Sequence, residues 1–170
     1  DINEFDTYEK LKKEIKKRKI PDVDISNCKH YASLLDEFYK RTSRPKIIQP
    51  IFMTHYPVEM IPLAKRNKKD PSKINTFQLI FNGWEIVKAY DELNNPLDQR
   101  ERLVEQQEFL KLGDKEAHPL DEDFLEAIEH GMPPTAGFGL GVERLCQFLM
   151  NQQNIRSSVF FPLMRPESED

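Results

Sequence analysis

The sequence predicts an α+β fold in which antiparallel strands are flanked by helices, and three observations carry this. Phe77, Leu79 and Phe81 alternate with Gln78 and Ile80 up to Asn82-Gly83, and a second alternating run follows at once, which is a hairpin signature. Segments with apolar residues at helical spacing stand on both sides of that hairpin. Finally, residues 137–144 read GFGLGVER, a glycine at every second position running into Glu143-Arg144 and the apolar face of Leu145, Phe148 and Leu149.

Residues 8–18 surround Leu11 and Ile15 with Lys and Glu, and residues 31–39 place Leu34, Leu35 and Phe38 at helical spacing; both read as surface helices. The glutamates that interrupt the basic run of the first helix mark a solvated face rather than a nucleic-acid contact. Residues 46–56 gather Ile47, Ile48, Ile51, Phe52 and Met53 into a strand whose start or edge tolerates Pro50. The loop after it holds Lys65, Arg66, Lys68 and Lys69, suited equally to phosphate contact and to plain exposure.

In the second hairpin strand, residues 84–93, strict alternation puts Trp84, Ile86, Lys88, Tyr90 and Glu92 on one face and Glu85, Val87, Ala89, Asp91 and Leu93 on the other. Tyr90 and Glu92 together suit an aliphatic ammonium or guanidinium, with one apolar wall and one anionic end. A half-exposed face with a surface glutamate, or an internal Lys88–Glu92 pair, fits the same spacing.

Asn95 reads as the cap, and Pro96 as the first residue, of a helix reaching about Leu112 and closed near Gly113. Its Gln, Arg and Glu residues are expected to face water, with Leu97, Leu103 and Leu110 on the apolar side. A further helix, residues 122–130, is capped by Asp121 and closed by Gly131. Residues 132–136, MPPTA, cannot be helical and lead into the glycine strand. A helix then opens near Arg144, and residues 158–161 read as a last apolar strand.

The glycine strand leaves one face bare of side chains. A flat ligand such as a nucleotide could lie there, with Arg144 stacking on adenine or neutralising phosphate beside the N–H donors of the opening helix. A glycine-rich bend that merely lets strand and helix pack closely has the same pattern.

The 170 residues suffice for one domain with a real core, and the net charge of −4 argues against indiscriminate binding of nucleic acid. Cys28 and Cys146 have no metal-like spacing and read as two reduced thiols. No apolar run approaches the roughly 20 residues that span a bilayer, so a soluble, cytoplasmic protein is expected, with no membrane partner. Asp1 at the start suggests a processed chain or a piece of something longer. His55, His118 and His130 read as loop or capping residues.

Four blocks in order, PLAKRN (62–67), WEIVKAYDELNNPLDQRERL (84–103), EHGMPPTAGFGLGVERL (129–145) and FFPLMRP (160–166), resemble the C-terminal half of the catalytic domain of class II lysyl-tRNA synthetases. The resemblance implies one antiparallel sheet flanked by helices, a partial class II core, with residues 1–170 as a single domain and 1–45 as a helical, insertion-like segment. It implies ATP-dependent activation of lysine with Mg²⁺, transfer to tRNA through a region outside this chain, and a homodimer in the full-length protein.

Residue by residue, Arg144 matches the third-motif arginine that holds ATP and serves catalysis, and Gly139 and Gly141 match the glycines flooring the adenosine pocket. Glu85 matches a ligand of magnesium and ATP, with Ile86 beside it at the cofactor. Glu92 matches the carboxylate that reads the ε-ammonium, and Tyr90 the aromatic along the aliphatic stem. Arg144 and the metal would neutralise the triphosphate while the lysine carboxylate attacks the α-phosphorus.

Glu85 should point away from Tyr90 and Glu92 on a regular strand, so a shared site demands a bulge near Val87. Gln78 stands where a second metal-binding glutamate is usual, and Lys88 where an asparagine orients the substrate. The Lys88 charge opposes the α-ammonium of lysine unless it turns towards phosphate or Glu92. Ile61 replaces a serine before PLA. The family's first motif, its second motif with the α-phosphate arginine and its anticodon-binding barrel are not found among these residues, so the chain alone is expected to have little or no activity. The alternatives are a synthetase-derived paralogue that acts as a non-catalytic binding module, or a ligase for a protein acceptor.

Overall fold

A computed structural model describes residues 4–163. Helix α1 (Tyr8–Arg18) starts where the Thr7 hydroxyl accepts from Lys10 N, and ends at Lys19, whose φ of 49° is left-handed. Helix α2 (Tyr31–Thr42) is opened by a reciprocal cap between His30 and Ser33. The two helices close a small core of Leu11, Ile15, Cys28 and Leu34, whose partly buried neighbours include Phe5, Tyr8 and Phe38.

The sheet has four antiparallel strands in the order β1 (Ile51–Thr54), β2 (Thr76–Phe81), β3 (Trp84–Asp91) and β4 (Ala136–Leu140). Strand β1 is shorter than the sequence suggested. Pro50 lacks the N–H a ladder needs and stands just before it, and Arg44–Lys46 forms a short 3₁₀ turn. In the hairpin turn Asn82 and Gly83 both have positive φ, 49° and 74°, as a type I′ turn requires.

The expected bulge is present. Leu79 pairs with Val87 but Ile80 pairs with Glu85, which leaves Ile86 as an extra residue on β3. Two consecutive residues, Ile86 and Val87, are therefore both buried. Because Gln78 and Ile80 share one face of β2, their partners Lys88 and Glu85 now share a face as well.

Helix α3 (Pro96–Lys111) is capped by the Asn95 side chain, and α4 (Glu122–Glu129) by Asp121. The expected faces of α3 need correction. Gln99, Arg102 and Gln106 are buried, whereas Leu97 is 72% exposed. Arg102 donates from Nη1 to Ala64 O at 2.6 Å and from Nε to Asp98 at 3.0 Å, and Gln99 Nε2 donates to Pro62 O at 3.2 Å. These polar groups enter the interior because the PLA loop offers carbonyls that nothing apolar could satisfy. His30 also docks on α3, stacked on Phe109 and paired with Asp114 at 2.6 Å.

Helix α5 (Val142–Leu149) follows β4 directly. The strand expected over residues 158–161 does not form. Residues Ile155–Ser158 make a 3₁₀ turn, and Phe160 and Phe161 beyond it are 97% and 93% exposed, with no strand edge beside them. Of the FFPLMRP block, residues 164–166 lie outside the described residues. Both cysteines are free, and burial pushes the Cys28 thiol up to about 11.

Candidate functional site

One face of the sheet collects the candidate residues. Tyr90 lies between Thr76 and Gly137, and Lys88 between Gln78 and Gly139, so the two glycines of β4 open the face beside the two side chains of β3. The bulge brings Glu85 to the same face.

The three β4 glycines serve different ends. A Cβ on Gly137 would overlap Glu92 Oε1, so this glycine makes room for the carboxylate. Gly139 meets only Lys88 O, at 3.7 Å, and leaves open space. A Cβ on Gly141 would stand 3.1 Å from Arg144 Cδ, so this glycine lets the arginine fold back towards β3. There the guanidinium donates from Nη1 to Glu85 O at 2.6 Å and lies over the Trp84 ring at 5.9 Å. Gly141 N in turn donates to the Ile86 carbonyl at 2.9 Å. The bulge and the glycine-arginine corner thus fix each other.

Two cavities flank Glu85. One of about 270 Å³ is lined by Arg44, Gly83, Trp84, Glu85 and Arg144. The other, about 250 Å³, lies between α2 and the strands and holds Arg44, Tyr39, Tyr56, Gln78, Glu85 and Lys88 in its wall. Tyr56 is buried and donates its hydroxyl to Gln78 Oε1 at 2.5 Å. Neither cavity has Ile86, Tyr90, Glu92, Gly139 or Gly141 in its wall. Arg144 and Glu85 therefore come together, while Tyr90 and Glu92 form a separate cluster on the same face.

That second cluster is held from behind. Glu92 bridges Ala64, Lys65 N donates to Asp91 O, and Leu93 N donates to Leu63 O, so the PLA loop forms a short ribbon with the end of β3. The Ala64 carbonyl is fixed by Arg102, whose own charge is balanced by Asp98. Burial pushes the Glu92 carboxyl above its usual range, and no ion pair joins it to Lys88 or to any cation among the described residues. Burial, and then the Glu92 charge, raise the Tyr90 phenol.

The sequence profile of tRNA synthetases class II (D, K and N) matches residues 4–165. The chain belongs to that family. Among its relatives, the lysine–tRNA ligase of Christiangramia forsetii is 44% identical over 166 residues, covering 97% of this chain and 29% of the relative. That of Aquifex aeolicus is 42% identical over 95% of the chain and 26% of its own length, and that of Thermosynechococcus vestitus 44% over 89% and 30%. The chain thus spans less than a third of the length of the curated relatives it matches. Its four-stranded antiparallel sheet with flanking helices is a partial class II synthetase core.

Within the class II frame, sequence reasoning missed Arg44, Tyr56 and Arg102. Only Arg102 left a signal, standing four residues after Asp98 on one helix. As donors for magnesium, the residues at Glu85 fit poorly. Gln78 offers a neutral oxygen already engaged by Tyr56, and the ammonium of Lys88 stands as its cross-strand partner, whereas a hard cation needs anionic oxygens. Among the described residues, no group of three or more His, Cys, Asp or Glu side chains is placed to hold a metal ion. No helix among them is long and apolar enough to cross a membrane.

Proposed function

We propose that this chain is the C-terminal portion of the catalytic domain of a lysine–tRNA ligase. It serves ATP-dependent activation of lysine and transfer to tRNA when joined to segments that carry the second-motif arginine. The observation that carries this reading is Glu92: a partly buried carboxylate without a cation of its own, next to Tyr90, on a floor that Gly137 keeps clear. Such a group is disfavoured in its charged form until a cation arrives, which makes it a receptor for an ε-ammonium with Tyr90 along the aliphatic stem.

Arg144 takes the nucleotide end in this reading. Its guanidinium faces the Glu85 cavity and is pinned to the bulge, so it is pre-set for adenine or phosphate, and the open face at Gly139 admits the flat base. Residues 1–45 are the insertion-like layer of one domain. The acceptor tRNA, a homodimeric full-length enzyme and a cytoplasmic setting follow from the same reading. Alone, the chain turns over little substrate, because no second-motif arginine is present to stabilise charge at the α-phosphorus.

Calorimetry of lysine against the full chain and its Glu92→Gln variant tests the proposal. Selective loss of lysine binding in the variant is expected, and equal binding in both would remove Glu92 from the site. Pyrophosphate release from ATP and lysine should stay near background; robust release by the pure chain would refute the inactivity. A second reading, a synthetase-derived module that binds without catalysing, is favoured by the Tyr56–Gln78 bond and by Lys88 at the metal position. It predicts ligand binding with no pyrophosphate release even in the longest polypeptide that contains this chain.

A further inference from the structure

The nucleotide reading leaves one imbalance at Glu85. Lys88 and Arg44 are both in the wall of the cavity between α2 and the strands, and neither has a carboxylate partner among the described residues. Other charges in that wall are matched: Lys40 with Asp36 at 2.5 Å, His30 with Asp114 at 2.6 Å. Of the acids left, Glu59 stands on the 3₁₀ turn Val58–Met60 and Glu116 on the α3–α4 loop, so Glu85 is the one acid that the strands supply to this wall. Two cations therefore face one carboxylate at the sheet. Arg44 also lines the neighbouring cavity with Arg144, so three cationic groups surround Glu85.

Charge at this position is what a divalent cation would otherwise supply to a polyphosphate. Here the anionic oxygen that such an ion needs is replaced by a Gln78 amide held by Tyr56, and the site's positive charge is covalently attached. Lys88 and Gln78 are direct cross-strand neighbours, about 5 Å apart at Cβ, so the ammonium reaches the space between Gln78 and Glu85 without leaving the face. Arg44 is held against the turn, since Pro45 Cα lies 3.4 Å from where a Cβ of Gly83 would stand.

We propose that this site binds the polyphosphate of its nucleotide without a divalent cation, with Lys88 and Arg44 providing the charge that a metal would carry. The inference rests on the nucleotide reading above, and two conditions separate them. ATP is titrated by calorimetry into the full chain in excess EDTA and again in excess MgCl₂. Affinity in EDTA is expected to match or exceed that in magnesium. Lys88→Asn and Arg44→Gln should each weaken binding in EDTA by about tenfold, with circular dichroism confirming that the variants fold. The double variant Gln78→Glu, Lys88→Asn should bind ATP in magnesium and lose it in EDTA.

Wild-type binding that appears only with magnesium would overturn this inference and leave the nucleotide reading standing. No binding in either buffer would overturn both. EDTA-resistant binding that neither single variant weakens would also overturn it, because the charge would then come from elsewhere.

Discussion

Replacing Arg102 with methionine should cost far more than its position on a helix facing the surrounding loops suggests. Methionine keeps most of the aliphatic stem, so the loss is confined to the guanidinium and its bonds. Arg102 is 5% exposed and makes two bonds to Asp98, at 3.0 and 3.1 Å, one to Ala64 O at 2.6 Å and a longer one to Pro62 O at 3.4 Å. Removing one partner of a buried pair costs about 3–5 kcal/mol, and an orphaned buried carbonyl about 1–3 kcal/mol on its own. Arg66 stays within 3.2 Å of Asp98 and Gln99 still serves Pro62 O, so the lower end applies, about 3 kcal/mol in all.

With a urea slope of about 2 kcal/mol/M, the unfolding midpoint of Arg102→Met should fall by roughly 1.5 M. Amide exchange reports where the damage goes. The Lys65 and Leu93 amides, which tie the PLA loop to the end of β3, should exchange faster in the variant, whereas the Gly141 amide at the bulge should not. A midpoint equal to the wild type, or unchanged exchange at Lys65 and Leu93, would refute the reasoning that Arg102 holds Glu92 in place through Ala64.

Gly137→Ala should leave the thermal midpoint unchanged or slightly raised, since the φ of Gly137 is not positive and the new methyl displaces only the end of a flexible side chain; lysine affinity should drop at least about tenfold by calorimetry. Glu92→Gln should raise the thermal midpoint at neutral pH. Burial places the folded carboxyl above its ordinary 4.5, so its ionised form opposes folding above the folded value, and the advantage of the variant should vanish once the pH falls below 4.5. Asp98 has the opposite sign. Burial pushes it up, but bonds from Arg102 and Arg66 outweigh this and hold it below 3.8, so the stability lost in Asp98→Asn at pH 7 should shrink as the pH falls through the depressed value, read by urea unfolding at several pH values.

Most elements were legible from local chemistry. The hairpin follows from period-2 alternation and Asn82-Gly83, α3 from Asn95-Pro96, α4 from Asp121 and Gly131, and the bulge from the demand that Glu85 join Lys88 on one face. Each of these depends on residues only a few positions apart. The last strand at 158–161 failed because an apolar run becomes a strand only where an edge is free to pair with it. The polar face of α3 failed for a related reason: carbonyls of the PLA loop, far away in sequence, drew Gln99 and Arg102 inside.

For the candidate site, the sequence by itself determined the chemistry: a Tyr90–Glu92 receptor for a cation, Arg144 at a glycine-lined corner, and a weakened metal position at Gln78 and Lys88. Only the tertiary structure decided who stands beside whom. It placed Arg44 from the helical layer next to Glu85, turned Tyr56 onto Gln78, and separated the Glu92 cluster from the Arg144 cavity. Residue types and short spacings fix what a side chain can do, whereas contacts between residues distant in the chain depend on how the helical layer and loops pack on the sheet, and no local periodicity encodes that packing.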